Sequence, residues 1–308
     1  MPFYMRDIIS VLDLDRRDFE ELFAMAENML AYSRAKIDLL SGKIMASAFF
    51  EPSTRTRLSF ETAMKRLGGD VISIVGEEAI SAKKGESFVD TIRMLDSYAD
   101  VIVIRHHYEG AAKLAAEIAH VPVINAGDGK QHHPTQTMID LFTVKKLKGR
   151  IDGLVYGIMG DLKYARTANS LALALMKFKP EKIYLISPDL LRIRPETRDL
   201  LYASNIPFEE VRDIREVISE LDILYVTRIQ KERFPDPLEY EKVKGSYRLT
   251  PEILEMAKSN LKILHPLPKV DEIDPRLDTT EFAAYFIQAS YGIPVRMALL
   301  ALIFGKTL

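Results

Sequence analysis

Residues 44–69 read IMASAFFEPSTRTRLSFETAMKRLGG, and this stretch decides the fold. The apolar run 44–50 is typical of a buried strand, and the pattern over 58–67 predicts a helix that ends at Gly68-Gly69. Between them, Ser53-Thr54-Arg55-Thr56-Arg57 places hydroxyl, backbone N–H and guanidinium groups at one helix N-terminus. Such a terminus attracts anions, and phosphate above all. The alternative is a capped helix with a basic, solvated face, because Ser and Thr are common caps.

Short apolar runs recur along the chain and alternate with helical patterns. The runs lie at residues 71–75, 101–104, 121–124, 154–159, 183–186, 223–226 and 261–264. Helical spacing of apolar residues follows Asp15 and recurs at 111–120, 136–147, 167–178 and 295–303. This alternation predicts parallel sheets covered by helices on both faces. We expect an α/β protein of two doubly wound domains, 1–134 plus 288–308 and 135–287, with the active site in the cleft between them.

The composition excludes several classes of function. The 308 residues carry a formal net charge of -2, which indicates neither a nucleic-acid nor a membrane partner. The chain has no cysteine, so disulfides, thiolate nucleophiles and thiolate metal sites are excluded. We find no signal-peptide pattern and no apolar run near 18 residues. We therefore expect a soluble, cytoplasmic protein.

Polar residues directly follow the predicted strands. Ligands of open α/β sheets bind outside the carboxyl ends of the strands. Arginine recurs at these positions, which favours an anionic set of ligands. The residues concerned are Ser53-Thr54-Arg55-Thr56, Arg105, Gly160-Asp161 with Arg166, Thr227-Arg228-Ile229-Gln230 and His265-Pro266-Leu267-Pro268.

Three further motifs give only weak evidence about function. Residues 157–161, GIMGD, resemble a nucleotide-binding turn but lack the full G-x-G-x-x-G pattern, so dinucleotide binding is a weak hypothesis. His132-His133-Pro134 has only Asp128 as a nearby metal ligand, so we interpret these as loop or core histidines and expect no metal site. Residues 81–85, SAKKG, are typical of an exposed basic turn.

Together these segments resemble the aspartate carbamoyltransferases, within the aspartate/ornithine carbamoyltransferase superfamily. The resemblance runs nearly end to end. The first motif, FEPSTRTR at 50–57, and the last, HPLP at 265–268, are shared with the whole superfamily. The Lys84 loop and the block 228–230 are more specific to the aspartate enzymes. The remaining motifs are KGE at 84–86, Arg105-His106, GDG at 127–129 with HPTQT at 133–137, and GDLKY at 160–164 before Arg166.

The resemblance implies a carbamoyl-group transferase that uses no metal and no cofactor. Carbamoyl phosphate and L-aspartate would give N-carbamoyl-L-aspartate and phosphate, the committed step of de novo pyrimidine (UMP) biosynthesis. It also implies a homotrimer in which Ser81 and Lys84 reach the site of a neighbouring subunit. Regulatory chains in a larger assembly are a further possible partner, whereas nucleic acid and membranes are not expected.

The residue roles of the family fall on matching positions of this chain. The phosphate would be held by Ser53, Thr54, Arg55 and Thr56. The carbamoyl oxygen, where negative charge develops, would accept hydrogen bonds from Thr56, Arg105 and His133. The carbamoyl amide would be fixed by Gln136 and by the turn of Pro266, Leu267 and Pro268. The two carboxylates of L-aspartate would be clamped by Arg166 and Arg228, with Gln230 in support. The catalytic set is then Arg55, Thr56, Lys84, Arg105 and His133.

Two other functions compete with this interpretation. Ornithine carbamoyltransferase shares the phosphate motif, but it typically carries a cysteine in the turn that reads HPLP here, and Arg228 would face a cationic substrate. A non-catalytic anion-binding protein on the same fold has no use for the oxyanion donors. The chain also departs from many relatives at Ala165, Asn169 and Lys269.

Overall fold

The computed structural model describes residues 3–76, 85–234 and 236–308. The chain divides into two compact units, Met1–Ile139 with Tyr291–Leu308, and Asp140–Ser290. Ile139 and Asp140 are neighbours within one helix, Pro134–Lys148. The sequence pattern is continuous through this point, so periodicity alone does not mark the division.

The strands and helices follow one another in the alternating order that the sequence predicts. The strands are β1 (Ile44–Phe49), β2 (Asp70–Val75), β3 (Val101–His106), β4 (Val123–Asp128), β5 (Val155–Met159), β6 (Lys182–Ile186), β7 (Phe208–Val211), β8 (Ile223–Val226) and β9 (Lys262–Leu264). The helices are α1 (Arg16–Met29), α2 (Thr54–Arg66), α3 (Phe88–Tyr98), α4 (Ala111–Ile118), α5 (Pro134–Lys148), α6 (Arg166–Leu175), α7 (Pro195–Ala203), α8 (Pro237–Val243), α9 (Pro251–Leu254), α10 (Tyr285–Ser290) and α11 (Gly292–Ile303).

The first unit contains a parallel sheet in the strand order β2-β1-β3-β4. Successive side chains of a strand point to opposite faces. On one face, the alternate residues Ala46, Ala48, Ile102 and Ile104 pack in one cluster with residues of α3 and α4. Val103, which points the other way, is also fully buried. Because α2 contacts β1, and α1 and α2 both pack on α11, helices cover both faces.

The second unit contains a parallel sheet in the order β7-β6-β5-β8-β9. Its apolar core includes Leu224 and Val226 of β8 together with residues of β5, β6 and α9. The sequence pattern does not predict β7, because its sequence FEEV lacks an apolar run. Among the residues that the structure describes, this strand pairs only with β6, and it lies at the sheet edge, where Glu209 is exposed to solvent. The predicted α/β class with two doubly wound sheets is confirmed.

The ends of two elements differ from the prediction in a way that matters for function. Helix α2 begins at Thr54 rather than at residue 58, because the polar residues Thr54 to Arg57 form its first turn without any apolar periodicity. Strand β4 covers Val123–Asp128 rather than 121–124, and all its residues are buried. Asn125 and Asp128 therefore belong to a buried strand although their residue types are typical of loops.

The stretch Tyr285–Ile303, which contains α10 and α11, is long and apolar enough to cross a membrane by length and composition alone. The sequence pattern does not predict such a run, because Gln288, Ser290 and Arg296 interrupt it. Two thirds (67%) of the stretch is buried inside the protein, and every residue from Val295 to Ile303 is buried. This burial is typical of a core helix rather than of a membrane span.

Candidate active site

Each sheet reverses its strand order at one point, and predicted site residues follow the strands on either side of it as well as the neighbouring strands β4 and β9. In the first unit the chain passes from β1 to β2 on one side and returns to β3 on the other. In the second unit the same reversal separates β5 from β8. Ligands of open α/β sheets bind at such switch points, outside the carboxyl ends of the strands. The strand order, which the sequence pattern does not show, explains why polar residues lie close together within each unit.

The N-terminus of α2 follows β1 and contains the predicted phosphate ligands. Ser53 precedes the helix with an extended backbone (φ -161°), and its side chain makes no capping hydrogen bond. It is therefore not the side-chain cap that the alternative interpretation requires. Thr54 and Arg55 are exposed in the first turn, whereas Thr56 is buried. The backbone N–H groups of a first turn have no partners within the helix, so they are suited to an anion.

Arg57, although basic, is not directed to this terminus. Its guanidinium forms an ion pair with Glu61 one turn later, with Nη1 and Oε1 3.3 Å apart. Glu61 also accepts hydrogen bonds from Ser47 of β1 and Ser73 of β2. The two arginines of the motif consequently differ in environment: Arg57 is partly buried beside Glu61, whereas Arg55 is exposed.

Arg105 lies in the last part of β3, directly beside the end of β1. Phe49 and Arg105 are partners in the register, and the backbone N–H of Phe50 donates to the carbonyl of Arg105. The guanidinium forms an ion pair with Glu51, with Nε and Oε2 3.2 Å apart, and donates to the carbonyl of Ala126 at 3.3 Å. Glu51 was not predicted as a functional residue, although it lies within the quoted motif. Its carboxylate lies beside the Arg105 guanidinium and neutralises its charge.

The segment between β4 and α5 is held by two buried polar side chains. Asn125 donates from Nδ2 to Oδ1 of Asp128 at 2.9 Å, and its own Oδ1 accepts from the N–H of Gly127 at 2.7 Å. Asp128 also accepts from the backbone N–H groups of Gly110 and His132. The carboxylate of Asp128 therefore orders the backbone that leads to His133.

The two adjacent histidines occupy different environments. His132 is half-buried, and the hydroxyl of Ser10 lies 3.4 Å from its Nδ1. His133 is buried directly before α5, and its carbonyl accepts from the N–H groups of Gln136 and Thr137. The structure places His133, which the resemblance selects over His132, together with Gln136 at the start of α5. Ser81 and Lys84, which the resemblance assigns to a neighbouring site, lie outside the described residues.

In the second unit, Asp161 is a fully buried carboxylate directly after β5. Its Oδ1 accepts from the N–H of Tyr164 at 2.8 Å, and its Oδ2 lies 3.5 Å from the N–H of Gln230. Burial raises the pKa of Asp161 from 3.8 to about 6, although these N–H groups and the charge of Lys163 act in the opposite direction. The carboxylate thus connects the segment after β5 to the segment after β8.

The raised pKa of Asp161 predicts a dependence of stability on pH. A carboxyl whose pKa is higher in the folded state stabilises the fold fully below pH 4, and this contribution is lost as pH rises through about 6. The uncharged variant Asp161→Asn should not show this loss. We expect its free energy of unfolding, relative to that of wild type, to rise by about 3 kcal/mol between pH 4 and pH 7, as measured by urea unfolding at each pH. Asp199→Asn is the control, because Asp199 is exposed. If the free energies of unfolding of wild type and Asp161→Asn differ by the same amount at every pH, the prediction is wrong.

The two arginines predicted to clamp the amino-acid substrate lie at this same edge of the second sheet. Arg166 begins α6 and is buried, whereas Arg228 follows β8 and is half-buried. Arg228 forms an ion pair with Glu232, four residues later. Burial opposes ionisation of Glu232, but the hydrogen bond and charge of Arg228 outweigh it and lower its pKa. Gln230 accepts at Oε1 from Nε of Arg233 at 3.2 Å, so its amide is oriented as well.

Gly160 is a glycine because the backbone after β8 approaches it closely. Its φ is +122°, and a Cβ at this position would lie 2.3 Å from the carbonyl oxygen of Thr227. The hydroxyl of Tyr247 would be 2.5 Å away, and this hydroxyl donates to the same carbonyl at 2.8 Å. The contact fixes the position of the segment that carries Arg228. Tyr247 was not predicted from the sequence.

We expect Gly160→Ala to destabilise the fold by about 3 kcal/mol or more, since it combines backbone strain with a clash against backbone atoms. Gly153→Ala is the matched control, because Gly153 also has a positive φ (+63°) but open space where the added methyl group would lie. The control should cost only about 1–2 kcal/mol. Thermal or urea unfolding of both variants measures the difference, and equal losses would contradict the contact argument.

The turn after β9 contains the residues that are predicted to bind the carbamoyl amide. Pro266 and Leu267 are half-buried, Pro268 is exposed, and His265 is fully buried. Burial lowers the pKa of His265, which favours the neutral ring, while its hydrogen bond to Glu272 acts in the opposite direction. All four residues belong to the second unit.

The three departures from relatives are accommodated in the structure. Asn169 donates to the carbonyls of Leu162 and Ala165 and accepts from Thr197, so its amide is satisfied. Ala165 precedes α6 with an extended backbone. Lys269 forms an ion pair with Asp278 at 3.1 Å. None of them removes a predicted ligand.

Comparison with known proteins agrees with this arrangement. Residues 6–146 match the family model of the aspartate/ornithine carbamoyltransferase carbamoyl-P binding domain, and residues 152–303 match that of the Asp/Orn binding domain. The chain belongs to the aspartate/ornithine carbamoyltransferase family. Among curated members, the aspartate carbamoyltransferase catalytic subunit of Hyperthermus butylicus is 64% identical over 304 residues, covering 98% of this chain and 96% of the relative. The corresponding subunit of Pyrobaculum islandicum is 60% identical over 298 residues, covering 97% and 98%.

Solved structures of this carbamoyltransferase family have the same fold. The catalytic subunit of M. jannaschii aspartate transcarbamoylase superposes with a TM-score of 0.89 at 50% identity and 98% coverage of both chains. The Trypanosoma cruzi aspartate transcarbamoylase, solved with carbamoyl phosphate and aspartate, has a TM-score of 0.93 at 34% identity, covering 99% of this chain and 98% of that one.

Proposed function

We propose that this chain is the catalytic chain of an aspartate carbamoyltransferase. It transfers the carbamoyl group of carbamoyl phosphate to the amine of L-aspartate, which gives N-carbamoyl-L-aspartate and phosphate in pyrimidine biosynthesis. The observation that carries this proposal is the pair Arg166 and Arg228 at one edge of the second sheet. Two guanidinium groups fit a dicarboxylate, whereas the cationic side chain of ornithine would be repelled. The names of the relatives support the same substrate.

The first unit binds carbamoyl phosphate. The N-terminus of α2, with Ser53, Thr54, Arg55 and Thr56, holds the phosphate. Thr56, Arg105 and His133 donate hydrogen bonds to the carbamoyl oxygen. Gln136 and the carbonyls of Pro266 and Leu267 fix the carbamoyl amide. This donor set is placed where charge develops, which is more than a simple anion-binding protein needs.

The reaction is an acyl transfer without a covalent enzyme intermediate. The neutral amine of aspartate attacks the carbamoyl carbon and forms a C–N bond, and the carbonyl oxygen takes negative charge in the tetrahedral intermediate. The C–O bond to phosphate then breaks, and the proton lost by the amine passes to the leaving phosphate. The donors to the carbamoyl oxygen lower the barrier because they stabilise the negative charge that develops on this oxygen in the transition state. The remaining rate enhancement comes from the positioning of both substrates next to each other.

The assembly is also part of this proposal. The chain forms a homotrimer in which Ser81 and Lys84 complete a neighbouring site, and regulatory chains are possible partners, as the relatives' designation "catalytic subunit" suggests. We place the protein in the cytoplasm, where a chain without cysteine needs no oxidising compartment. Its mass in solution should be three times the 35.0 kDa of the chain.

Phosphate release by the purified chain tests the function. We expect release from carbamoyl phosphate only when L-aspartate is also present, and none when L-ornithine replaces it. Release that needs no acceptor would indicate a phosphatase, and release with ornithine alone would overturn the assignment of Arg166 and Arg228. Binding of carbamoyl phosphate without release under any condition would indicate a binding protein.

A further inference from the structure

A buried pair of ionisable side chains lies beside the turn at Pro266 and Leu267 and has no role in the proposed mechanism. Nε2 of His265 and Oε1 of Glu272 are 2.7 Å apart, and the exposed fractions of the two side chains are 1% and 2%. Burying a carboxylate is costly unless hydrogen bonds compensate it. A buried Glu beside a turn that contains substrate ligands therefore needs an explanation.

The hydrogen bonds of the turn fix the imidazole in one tautomer. The backbone N–H of Leu267 donates to Nδ1 of His265 at 2.8 Å, so Nδ1 is the acceptor. The proton is then on Nε2, which donates to Glu272. On its other side, Glu272 accepts from the backbone N–H groups of Val270 and Asp271, at 3.2 Å each. Burial alone would raise the pKa of Glu272, but these hydrogen bonds outweigh it and lower the pKa.

The turn needs such external support. Pro266 and Pro268 have no backbone N–H, so neither can donate a hydrogen bond that closes the turn. Leu267 has a left-handed backbone (φ +55°), which is unfavourable for a residue with a side chain. Its N–H is held by His265, and His265 is held by Glu272 and, at its own N–H, by Gln288 at 2.8 Å. Removing Glu272 would free the ring that fixes Leu267.

We propose that Glu272 is a positioning residue that acts through His265 to aim the carbonyls of Pro266 and Leu267 at the amide of carbamoyl phosphate. The inference rests on the proposed function, since those carbonyls matter only if a carbamoyl group binds there. Glu272 touches no substrate itself. Its contribution is to selectivity for an NH2 group over other groups of the same size.

Acetyl phosphate provides the discriminating probe. It carries a methyl group where carbamoyl phosphate carries NH2, so it cannot donate hydrogen bonds to the two carbonyls. Loss of Glu272 should therefore weaken binding of carbamoyl phosphate and leave binding of acetyl phosphate unchanged. A purely structural role would weaken both ligands equally. An effect exerted through the nearby charge of Arg228 would appear in the KM for aspartate instead.

The experiment measures the dissociation constants of both phosphates, without aspartate, for the full-length wild type, Glu272→Ala and the milder Glu272→Gln. We expect the preference for carbamoyl phosphate over acetyl phosphate to fall about tenfold in Glu272→Ala, the equivalent of one hydrogen bond, and partially in Glu272→Gln. The exposed Glu255→Gln variant is the control. Where Glu272→Ala does not fold, Glu272→Gln carries the test.

Three results overturn the proposal: equal losses for the two phosphates, an unchanged preference in a folded variant, or a change confined to the KM for aspartate. A wild type that binds carbamoyl phosphate but does not transfer it to aspartate refutes the proposed function alone. Because binding is measured without aspartate, the two failures are distinguishable.

Discussion

Replacing Arg105 by alanine is expected to lower kcat by about a hundredfold or more, since one donor to the developing oxyanion supplies on the order of 3 kcal/mol. The guanidinium is already oriented by Glu51 and by the carbonyl of Ala126, so it needs little reorganisation when the charge appears. Steady-state kinetics with both substrates varied measure the loss. The exposed Arg93→Ala variant of α3 is the control and should retain wild-type kcat.

The Arg105 variant removes one ion pair of the Glu51 carboxylate, and this side chain is only 17% exposed. Part of its effect is therefore a loss of stability, of about 1–3 kcal/mol. The double variant Glu51→Gln with Arg105→Ala also removes the negative charge that Arg105 neutralised, and it should recover part of the stability without recovering kcat. Recovery of both, or near-wild-type kcat in the single variant, would exclude Arg105 from catalysis.

Replacing Arg228 by glutamine is expected to raise the KM for aspartate about a hundredfold, because a charged hydrogen-bonded pair with a substrate carboxylate is lost. The dissociation constant of carbamoyl phosphate should stay within twofold, since its ligands are assigned to other residues. Arg192→Gln is the matched control, because Arg192 also follows a strand of this sheet and pairs with an aspartate, Asp189.

A variant of Glu232 provides a second comparison for the test of Arg228. The two side chains form an ion pair in the structure, so an incoming carboxylate competes with Glu232 or shares the guanidinium with it. Glu232→Gln should change the KM for aspartate far less than Arg228→Gln does. An Arg228→Gln variant with unchanged KM for aspartate and a weakened affinity for carbamoyl phosphate would reverse the assignment of the substrate ends.

The sequence predicted the fold class because buried parallel strands have a strong signature. Runs such as 101–104 and 223–226 are apolar on both faces, as strands between two layers of helices must be. It failed at β7, whose FEEV pattern belongs to an edge strand with solvent on one side. It also placed the start of α2 too late, because polar residues at a helix N-terminus have no periodicity.

The candidate site was predictable where residue type and position coincide, as at Ser53 to Thr56 and at Arg105. Its supporting residues were not. Glu272 lies in an irregular segment seven positions after His265, and only the fold brings the two together. Tyr247 reaches Thr227 across twenty positions in the same way. A single sequence shows which side chains can bind a substrate, whereas the strand order shows which neighbours hold them.

The most direct test of the proposed function is a competition between acceptors. The purified chain is given carbamoyl phosphate labelled in the carbamoyl carbon, with equal concentrations of L-aspartate and L-ornithine, and the products are identified by mass spectrometry. We expect the label almost entirely in N-carbamoyl-L-aspartate, in an amount equal to the phosphate released. Label in citrulline, or phosphate released without a carbamoylated amino acid, would contradict the assignment of this chain as an aspartate carbamoyltransferase.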